Sequence, residues 1–326
     1  MTFDQHIAAG IDLGSNTFRL MVAIFSADNL RVLEKKLITV GLGRSLQENN
    51  LHDHAIERGL KVLRIFRKTL DHYQPQNIRI CGTEALRQAR NRHLFLQKAE
   101  KILQYKIDIV TGEEEAHLSL AGALAGQMKP LSCSFLLVDA GGGSTELLFA
   151  DTVTGQTRVE SMGLGVVSLT EKFLAPSQPD IAAMDTILAE TVSNALERLK
   201  IPKKLPAVKI IGCGGTATSM GALALNLNSY NASLVHGHIL QSNGMEDLWS
   251  KIIALPAGRR NELPCMGEGR GEILPAGIRI YQMLLKLMGQ DKMRVSETGL
   301  LEGILLSSIS GTPYLNCSPH NFIPKS

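Results

Sequence analysis

The sequence predicts an α/β protein made of two lobes that arose by duplication. Strand-like and helix-like segments alternate from end to end, which is typical of α/β folds. A pattern of apolar strand, aspartate, glycine-bearing turn and second apolar strand occurs twice, at residues 7–25 and 135–150. An internal repeat of this kind indicates two copies of one structural unit. The length of 326 residues also exceeds that of one ordinary core.

The first lobe is predicted to open with two strands around a tight turn. Apolar residues at helical spacing then predict a helix over 55–72, and the segment TGEEEAHLSLAGALAG predicts a strong helix that starts at Thr111. The strands of this lobe are expected at 7–13, 18–25, 78–81 and 107–110, with a helix between the last two.

The second lobe repeats this logic. FLLVDAGGGSTELLFA at 135–150 gives two strands around a turn, and a third glycine-rich turn at 210–220 follows an apolar strand and opens a helix. The final helix, around SETGLLEGILLSSI, is expected to pack back on the first lobe. We therefore predict lobes of residues 1–128 and 129–304, with the C-terminal helix at about 305–326 joined to the first; the polar tail from Gly311 is expected to be poorly ordered.

Composition excludes several classes of protein. A net charge of +3 is too small to indicate a nucleic-acid partner, and no apolar run is long enough to predict a membrane span. The N-terminus lacks the pattern of a signal peptide. Five cysteines are odd in number and widely spaced, which fits reduced thiols in the cytoplasm better than disulfides or a zinc site. Whether the protein forms a homodimer is left open.

The glycine-bearing turns are the candidate phosphate-binding sites. A turn without Cβ atoms lets backbone N–H groups approach an anion closely, and neighbouring hydroxyls can add hydrogen bonds. The candidate residues are Gly14, Ser15, Asn16, Thr17, Gly141, Gly142, Gly143, Ser144, Thr145, Gly214, Gly215 and Thr216. Asp12 and Asp139, each at a strand end, are oxygen ligands suited to Mg²⁺. The alternative is a pair of ordinary hairpin turns with aspartate chosen for turn geometry, and the presence of matched copies argues against it.

These motifs resemble the actin/sugar-kinase/heat-shock ATPase superfamily, through DLGSNT and DAGGGST. A narrower resemblance is to the exopolyphosphatase and guanosine pentaphosphate phosphatase (Ppx/GppA) family. It rests on DLGSNTFRL, GTEALRQARN, TGEEEAHLSLAGAL, VDAGGGSTEL, MGLGVVSLTEKF, GCGGTAT and VHG, in the order of the family. The resemblance implies an actin-like (ribonuclease H-like) duplicated fold with an active-site cleft between the lobes. Many family members carry a further C-terminal helical domain, and this sequence stops before one could begin.

The resemblance also implies roles for three side chains. It places the catalytic base at Glu115. Glu146 is implied to be an active-site carboxylate that acts through a metal-bound water, with a plain strand-edge carboxylate as the alternative. Arg87 is implied to lie close to the cleft, where a guanidinium group suits phosphate oxygens. Thr111 and Glu114 fit a capping box, so part of the acidic GEEEA block has a structural explanation. Successive helical residues point about 100° apart, so the three glutamates are not expected to face one site. For Arg87, a surface ion pair with Glu84 is the alternative.

The implied activity is Mg²⁺-dependent release of the terminal phosphate of inorganic polyphosphate, and guanosine pentaphosphate is the alternative substrate. A small-molecule kinase of the superfamily would lack GEEEA, and a nucleotide sensor without turnover would not need Glu115. A basic stripe in the first lobe is either a solvated helix face or a track for a polyanion. It contains Arg58, Lys61, Arg64, Arg67 and Lys68, followed by Arg79, Arg87, Arg90, Arg92, Lys98 and Lys101.

Overall fold

The computed structural model describes residues 6–26, 29–44, 49–125, 134–151, 154–175, 179–201, 208–267 and 269–309. The chain divides into two compact units. Unit 1 comprises Met1–Pro130 and Thr298–Ser326, and unit 2 comprises Leu131–Glu297. The predicted boundary at 128–129 and the predicted tail from Gly311 lie outside the described residues.

Strands alternate with helices along both units. The strands are β1 (His6–Leu13), β2 (Thr17–Ser26), β3 (Asn29–Thr39), β4 (Asn77–Gly82), β5 (Asp108–Ile109), β6 (Ser134–Ala140), β7 (Thr145–Asp151), β8 (Gln156–Met162), β9 (Lys209–Cys213), β10 (Ile239–Gln241) and β11 (Lys292–Val295). Those in unit 1 form one sheet in the order β3-β2-β1-β4-β5, and those in unit 2 form a second in the order β10-β11-β9-β6-β7-β8.

The helices are α1 (Asp53–Tyr73), α2 (Glu84–Gln88), α3 (Arg92–Leu103), α4 (Gly112–Ala125), α5 (Val166–Leu169), α6 (Ile181–Leu199), α7 (Gly214–Ala224), α8 (Ala232–Val235), α9 (Ser242–Ile253), α10 (Arg270–Leu287) and α11 (Leu300–Ser307). A π-helical turn at Thr170–Leu174 and a 3₁₀ turn at Ala257–Glu262 complete the set. No helix among these described ranges is long and apolar enough to cross a membrane.

The two sheets share one topology, which confirms the predicted duplicated, actin-like α/β fold. In unit 1, β1 pairs antiparallel with β2 and parallel with β4. In unit 2, β6 pairs antiparallel with β7 and parallel with β9. In each unit a third antiparallel strand pairs with the second strand of the hairpin: β3 pairs with β2 in unit 1, and β8 pairs with β7 in unit 2. Each sheet therefore places a strand–turn–strand hairpin beside the parallel strand that follows it.

Each unit has its own apolar core. In unit 1, α1 and α3 cover one face of the sheet through residues such as Leu63, Phe66 and Phe95, all with 0% exposure. In unit 2, the cluster of buried residues includes Leu136, Met184 and Tyr281. Tyr281 donates hydrogen bonds to the carbonyls of Val138 and Cys213, 3.1 and 3.4 Å away. This phenol therefore ties β6 to β9 just before both strands reach their glycine-bearing turns.

The C-terminal helix α11 packs on α4 and β1 within unit 1. It spans Leu300–Ser307, inside the segment SETGLLEGILLSSI that predicts it, and most of the range of about 305–326 assigned to the first lobe lies outside the described residues. The contact depends on the absence of side chains: a Cβ on Gly303 would lie 1.8 Å from the carbonyl oxygen of Leu118, and one on Gly122 would lie 1.9 Å from that of Gly299. Because the backbones touch, this part of the chain belongs to the first unit from Thr298 onwards.

Candidate functional site

The turn between β1 and β2 presents an anion-binding backbone in unit 1. Within the described part of the chain, the N–H groups of Gly14, Ser15 and Asn16 donate no hydrogen bond to protein. Their carbonyls and side chains are used instead: the carbonyl of Asn16 accepts from Val40 and Gly41 at 2.8 and 2.9 Å. The turn is thus fixed from one side, while successive N–H groups stay available for an anion.

The corresponding turn of unit 2 has the same property. The N–H groups of Gly142, Gly143 and Ser144 donate no hydrogen bond within the described residues. The carbonyls of Gly141 and Gly142 accept from the first turn of α5, at 2.9 and 2.8 Å. A Cβ on Gly165 would lie 2.5 Å from the Gly142 carbonyl oxygen, so α5 can support the turn only because this residue is glycine.

The hydroxyl groups of the turns mostly hold the protein together, although we expected them to bind phosphate. Ser15 accepts from the N–H of Ala85 at 3.2 Å. Thr145 donates to the Leu164 carbonyl and Thr216 to the Ala140 carbonyl, each at 2.8 Å. Ser144 donates to Glu146 Oε1 at 2.7 Å. The backbone N–H groups are therefore the main donors that remain.

The two turns differ in charge at one matched position. Asp12 lies opposite Arg19 in the β1–β2 register, and Asp139 lies opposite Glu146 in the β6–β7 register. Arg19 Nε donates to Asp12 Oδ2 at 2.5 Å, so the aspartate of unit 1 is neutralised. In unit 2 the partner of the aspartate is a second carboxylate. The residue opposite the aspartate is therefore a cation in unit 1 and a carboxylate in unit 2.

Asp12 is fully buried, and its other oxygen, Oδ1, has no hydrogen-bond partner among the described residues. Burial raises the pKa of Asp12, Arg19 opposes this effect, and the nearby charge of Glu302 raises the pKa further. An oxygen that is buried without a donor fits a cation ligand.

Glu146 is held in place by two serine hydroxyls. Ser144 and Ser161 donate to its Oε1 atom at 2.7 and 3.0 Å, and the side chain is buried. Asp139 lies where β6 meets the start of α7, because a Cβ on Gly214 would come within 2.3 Å of Asp139 Oδ1. Asp139 and Glu146 are oxygen ligands of the kind Mg²⁺ prefers. No cluster of three or more potential protein ligands occurs in the described ranges, and Mg²⁺ usually binds through one or two carboxylates and substrate phosphates.

The three glutamates of the GEEEA block point in different directions, as predicted. Glu113 is exposed, and Glu114 pairs with Arg79 at 2.5 Å. The N–H of Glu114 also donates to Thr111 Oγ1 at 3.1 Å, so the predicted cap is present at the start of α4. Glu115 is buried, with 7% exposure. It is therefore the acidic residue of this block that the fold removes from solvent.

Arg87 contacts Glu115 directly. Its NH1 group donates to Glu115 Oε2 at 3.2 Å and to the Val110 carbonyl at 2.7 Å, while NH2 pairs with Glu84. Burial lowers the pKa of Arg87, but the carboxylates of Glu115 and Glu84 outweigh this effect and raise it. The ion pair with Glu84 that we considered as an alternative is present, and it belongs to a network that fixes the candidate base.

Two further arginines near the turns were not singled out from the sequence. Arg44 donates to Asn16 Oδ1 at 3.4 Å in unit 1. In unit 2, a Cβ on Gly215 would lie 3.2 Å from Arg270 Cζ, so this guanidinium stands at the start of α7. Both depend on tertiary contacts between segments far apart in sequence, and no local motif marks them.

The fold gathers the candidate residues into two sets, one in each unit. Unit 1 holds Asp12, Gly14–Thr17, Arg87 and Glu115, and unit 2 holds Asp139, Gly141–Glu146 and Gly214–Thr216. The model of the Ppx/GppA phosphatase family matches residues 22–311. The chain belongs to the Ppx/GppA phosphatase family. Its enzymes hydrolyse phosphoanhydride bonds.

Several known proteins are similar in sequence to this chain. Exopolyphosphatase 2 of Mycobacterium tuberculosis is 28% identical, over 92% of this chain and 97% of its own length. The guanosine-5'-triphosphate,3'-diphosphate pyrophosphatase of Vibrio vulnificus is 28% identical over 93% of this chain, which spans 59% of that protein. The bifunctional 3-dehydroquinate synthase/phosphatase of Fusobacterium nucleatum is 29% identical over 94% of this chain, which spans 47% of that protein. The crystal structure of the Aquifex aeolicus family member matches with a TM-score of 0.75 at 29% identity, covering 93% of this chain and 97% of that one.

The close approach of α7 to Asp139 gives a test of the unit 2 geometry. In Gly214→Ala, a methyl group would displace the Asp139 carboxylate, since the two would be 2.3 Å apart. We expect phosphate release to fall at least about tenfold, which corresponds to about 1.4 kcal/mol of barrier. Gly289→Ala is the matched control, because Gly289 also has a positive φ, +62°, but no atom within 4 Å of the new Cβ. Similar rates in both variants would show that the position of Asp139 does not matter.

Proposed function

We propose that this enzyme releases the terminal phosphate of inorganic polyphosphate. The observation that carries the proposal is the pair of turns, each with three successive N–H groups that donate to no described protein atom. Each such turn suits a phosphate group, since every phosphate offers acceptor oxygens. Exopolyphosphatase 2 of Mycobacterium tuberculosis, which this chain matches over nearly its whole length, supports the same substrate.

Glu115 is the proposed base. A carboxylate that is buried and fixed by Arg87 can orient a water molecule and accept its proton as the oxygen attacks phosphorus. The 3.2 Å contact with Arg87 NH1 leaves Glu115 with a defined orientation. Arg87 positions the base, and the backbone N–H groups of the glycine-bearing turns are the proposed donors to the negative charge that develops on phosphate oxygens.

The divalent cation expected for this family is proposed to be Mg²⁺. When bound, it would neutralise charge on the substrate phosphates. Asp139 and Glu146 would hold it on the unit 2 side, where the matched pair is acidic. Asp12, in unit 1, is a separate candidate ligand through its Oδ1 atom, which has no hydrogen-bond partner among the described residues. Its ion pair with Arg19 reduces the negative charge that it offers to a cation.

Guanosine pentaphosphate is the second candidate substrate. The Vibrio vulnificus relative carries the name of an enzyme for this class of nucleotide, although the present chain spans 59% of it. The turns bind phosphate groups and do not distinguish the two substrates by themselves. We also propose a cytoplasmic location, because the described cysteines Cys81, Cys213 and Cys265 form no disulfide. A homodimer and the absence of a nucleic-acid partner remain predictions.

The function is tested by measuring phosphate release from long-chain polyphosphate, guanosine pentaphosphate and ATP under the same conditions with Mg²⁺. We expect kcat/KM to be highest for long-chain polyphosphate, because more of its phosphates can contact the protein. A preference for guanosine pentaphosphate would assign the enzyme to the nucleotide instead. Activity on ATP alone would contradict both assignments.

The role of Glu115 has its own test. Glu115→Gln keeps the size of the side chain but removes its basicity, so kcat should fall by about 10²–10⁴-fold while KM changes little. Glu113→Gln makes the same chemical change two residues earlier in α4, at an exposed side chain, and should leave kcat unaltered. If folded Glu115→Gln retained wild-type turnover, Glu115 would be a structural residue of α4 and not the base.

A further inference from the structure

The basic stripe on α1 consists of two kinds of side chain. Arg58 and Arg67 point to backbone carbonyls: Arg58 Nε donates to Val40 at 2.8 Å, and Arg67 NH1 donates to Leu103 at 2.7 Å. The other three, Lys61, Arg64 and Lys68, are exposed and have no hydrogen bond or ion pair within the described residues. We call these three residues the α1 stripe. Their charges therefore form no described contact within the protein.

Exposed cations also lie on neighbouring segments of unit 1. Arg90 precedes α3, and Lys98 and Lys101 lie on α3, which packs on α1. Three acidic side chains of α1 are exposed too: Asp53, Glu57, which lies 3.9 Å from Lys98, and Asp71, which pairs with Arg67. The whole chain carries a net charge of only +3. The positive charge here is therefore a local concentration and does not reflect a basic protein.

This surface is continuous with the anion-binding turn of unit 1. Arg44 donates to Asn16 in the turn, and its side chain packs over Gly41. Arg58, at the near end of α1, donates to the carbonyl of the same Gly41 at 3.3 Å. The α1 stripe then continues at intervals of three and four residues, so its members share one side of the helix. From Lys61 to Lys68 the stripe extends about 10 Å along the axis.

We propose that the α1 stripe binds the body of a long inorganic polyphosphate while the end of the chain lies at the turn. This inference rests on the proposed function and extends it from the reacting phosphates to the rest of the substrate. A polyphosphate repeats its negative charge along its whole length, and the few N–H groups of the turns can contact only its terminal phosphates. Flexible, exposed Lys and Arg side chains suit the remainder, because contacts to a uniform polyanion need charge and not fixed geometry.

The test compares two triple variants with the same change in charge. The first replaces the stripe, with Lys61→Gln, Arg64→Gln and Lys68→Gln. The control replaces three exposed lysines of unit 2 that have no partner in the described ranges, with Lys251→Gln, Lys286→Gln and Lys292→Gln. For each protein, kcat/KM is measured on long-chain polyphosphate and on tripolyphosphate at several salt concentrations.

We expect the stripe variant to lose about 3- to 100-fold in kcat/KM on long chains, as the sum of three exposed charge contacts. Its rate on tripolyphosphate should stay near that of wild type, which also shows that the turn is intact. The slope of log kcat/KM against log salt on long chains should become shallower by about two. The control variant should behave as wild type on both substrates.

Three results would overturn the inference. Equal losses on long chains in the stripe and control variants would make the stripe a solvated helix face. An equal loss of the stripe variant on tripolyphosphate would place the effect at the turn. Inhibition of wild type, but not of the stripe variant, by poly-uridine RNA as strongly as by long polyphosphate at equal phosphate concentration would indicate a nucleic-acid surface. Failure of the proposed function is a separate result, seen when wild type hydrolyses neither polyphosphate.

Discussion

The proposed chemistry of this protein depends on backbone N–H groups at two hairpin turns that have no acceptor among the described residues. Gly14 and Gly141–Gly143 are half-buried, so these N–H groups are accessible to solvent and can exchange water for an anion. The carbonyls of the same turns are engaged by Val40 in unit 1 and by Val166 in unit 2. These contacts hold each turn rigid from behind, so that the N–H groups are arranged before substrate binds.

The two hairpin turns have the same backbone arrangement. They differ in the residue of the second strand that lies opposite the aspartate. Arg19 neutralises Asp12, whereas Glu146 stands beside Asp139. In unit 1 the aspartate forms an ion pair across the hairpin. In unit 2 two carboxylates face each other across the hairpin, with the Arg270 guanidinium at the start of α7 nearby, and carboxylate oxygens are ligands that a divalent cation prefers. The candidate base is supported separately: α4 carries Glu115, and α11 holds α4 by contacts that only glycine permits at Gly122 and Gly303.

The sequence predicted most of the fold and the location of the candidate site, because both depend on local patterns. The repeated strand–turn–strand motif gave the two units, and helical periodicity with Thr111 as cap separated Glu115 from its neighbours. What the sequence did not predict depends on contacts between distant segments. Ser161 reaches Glu146 from β8, and Arg44 reaches Asn16 from a later loop. The hydroxyl of Thr216 was predicted to bind phosphate, but it donates to the Ala140 carbonyl. The segment SETGLLEGILLSSI correctly predicted α11, whereas the close backbone contacts at Gly122 and Gly303 join segments that are far apart in sequence.

The most direct test of this account is a Mg²⁺ titration of phosphate release for Asp139→Asn and Asp12→Asn beside wild type. Both substitutions are nearly isosteric, so the fold should survive. If the acidic unit 2 pair holds the cation, Asp139→Asn should raise the Mg²⁺ concentration for half-maximal activity at least about tenfold, the equivalent of about 1.4 kcal/mol. Asp12→Asn should raise it by less, because Arg19 already neutralises that carboxylate. Wild-type titrations for both variants, or a larger shift for Asp12→Asn, would contradict the assignment of the cation to unit 2.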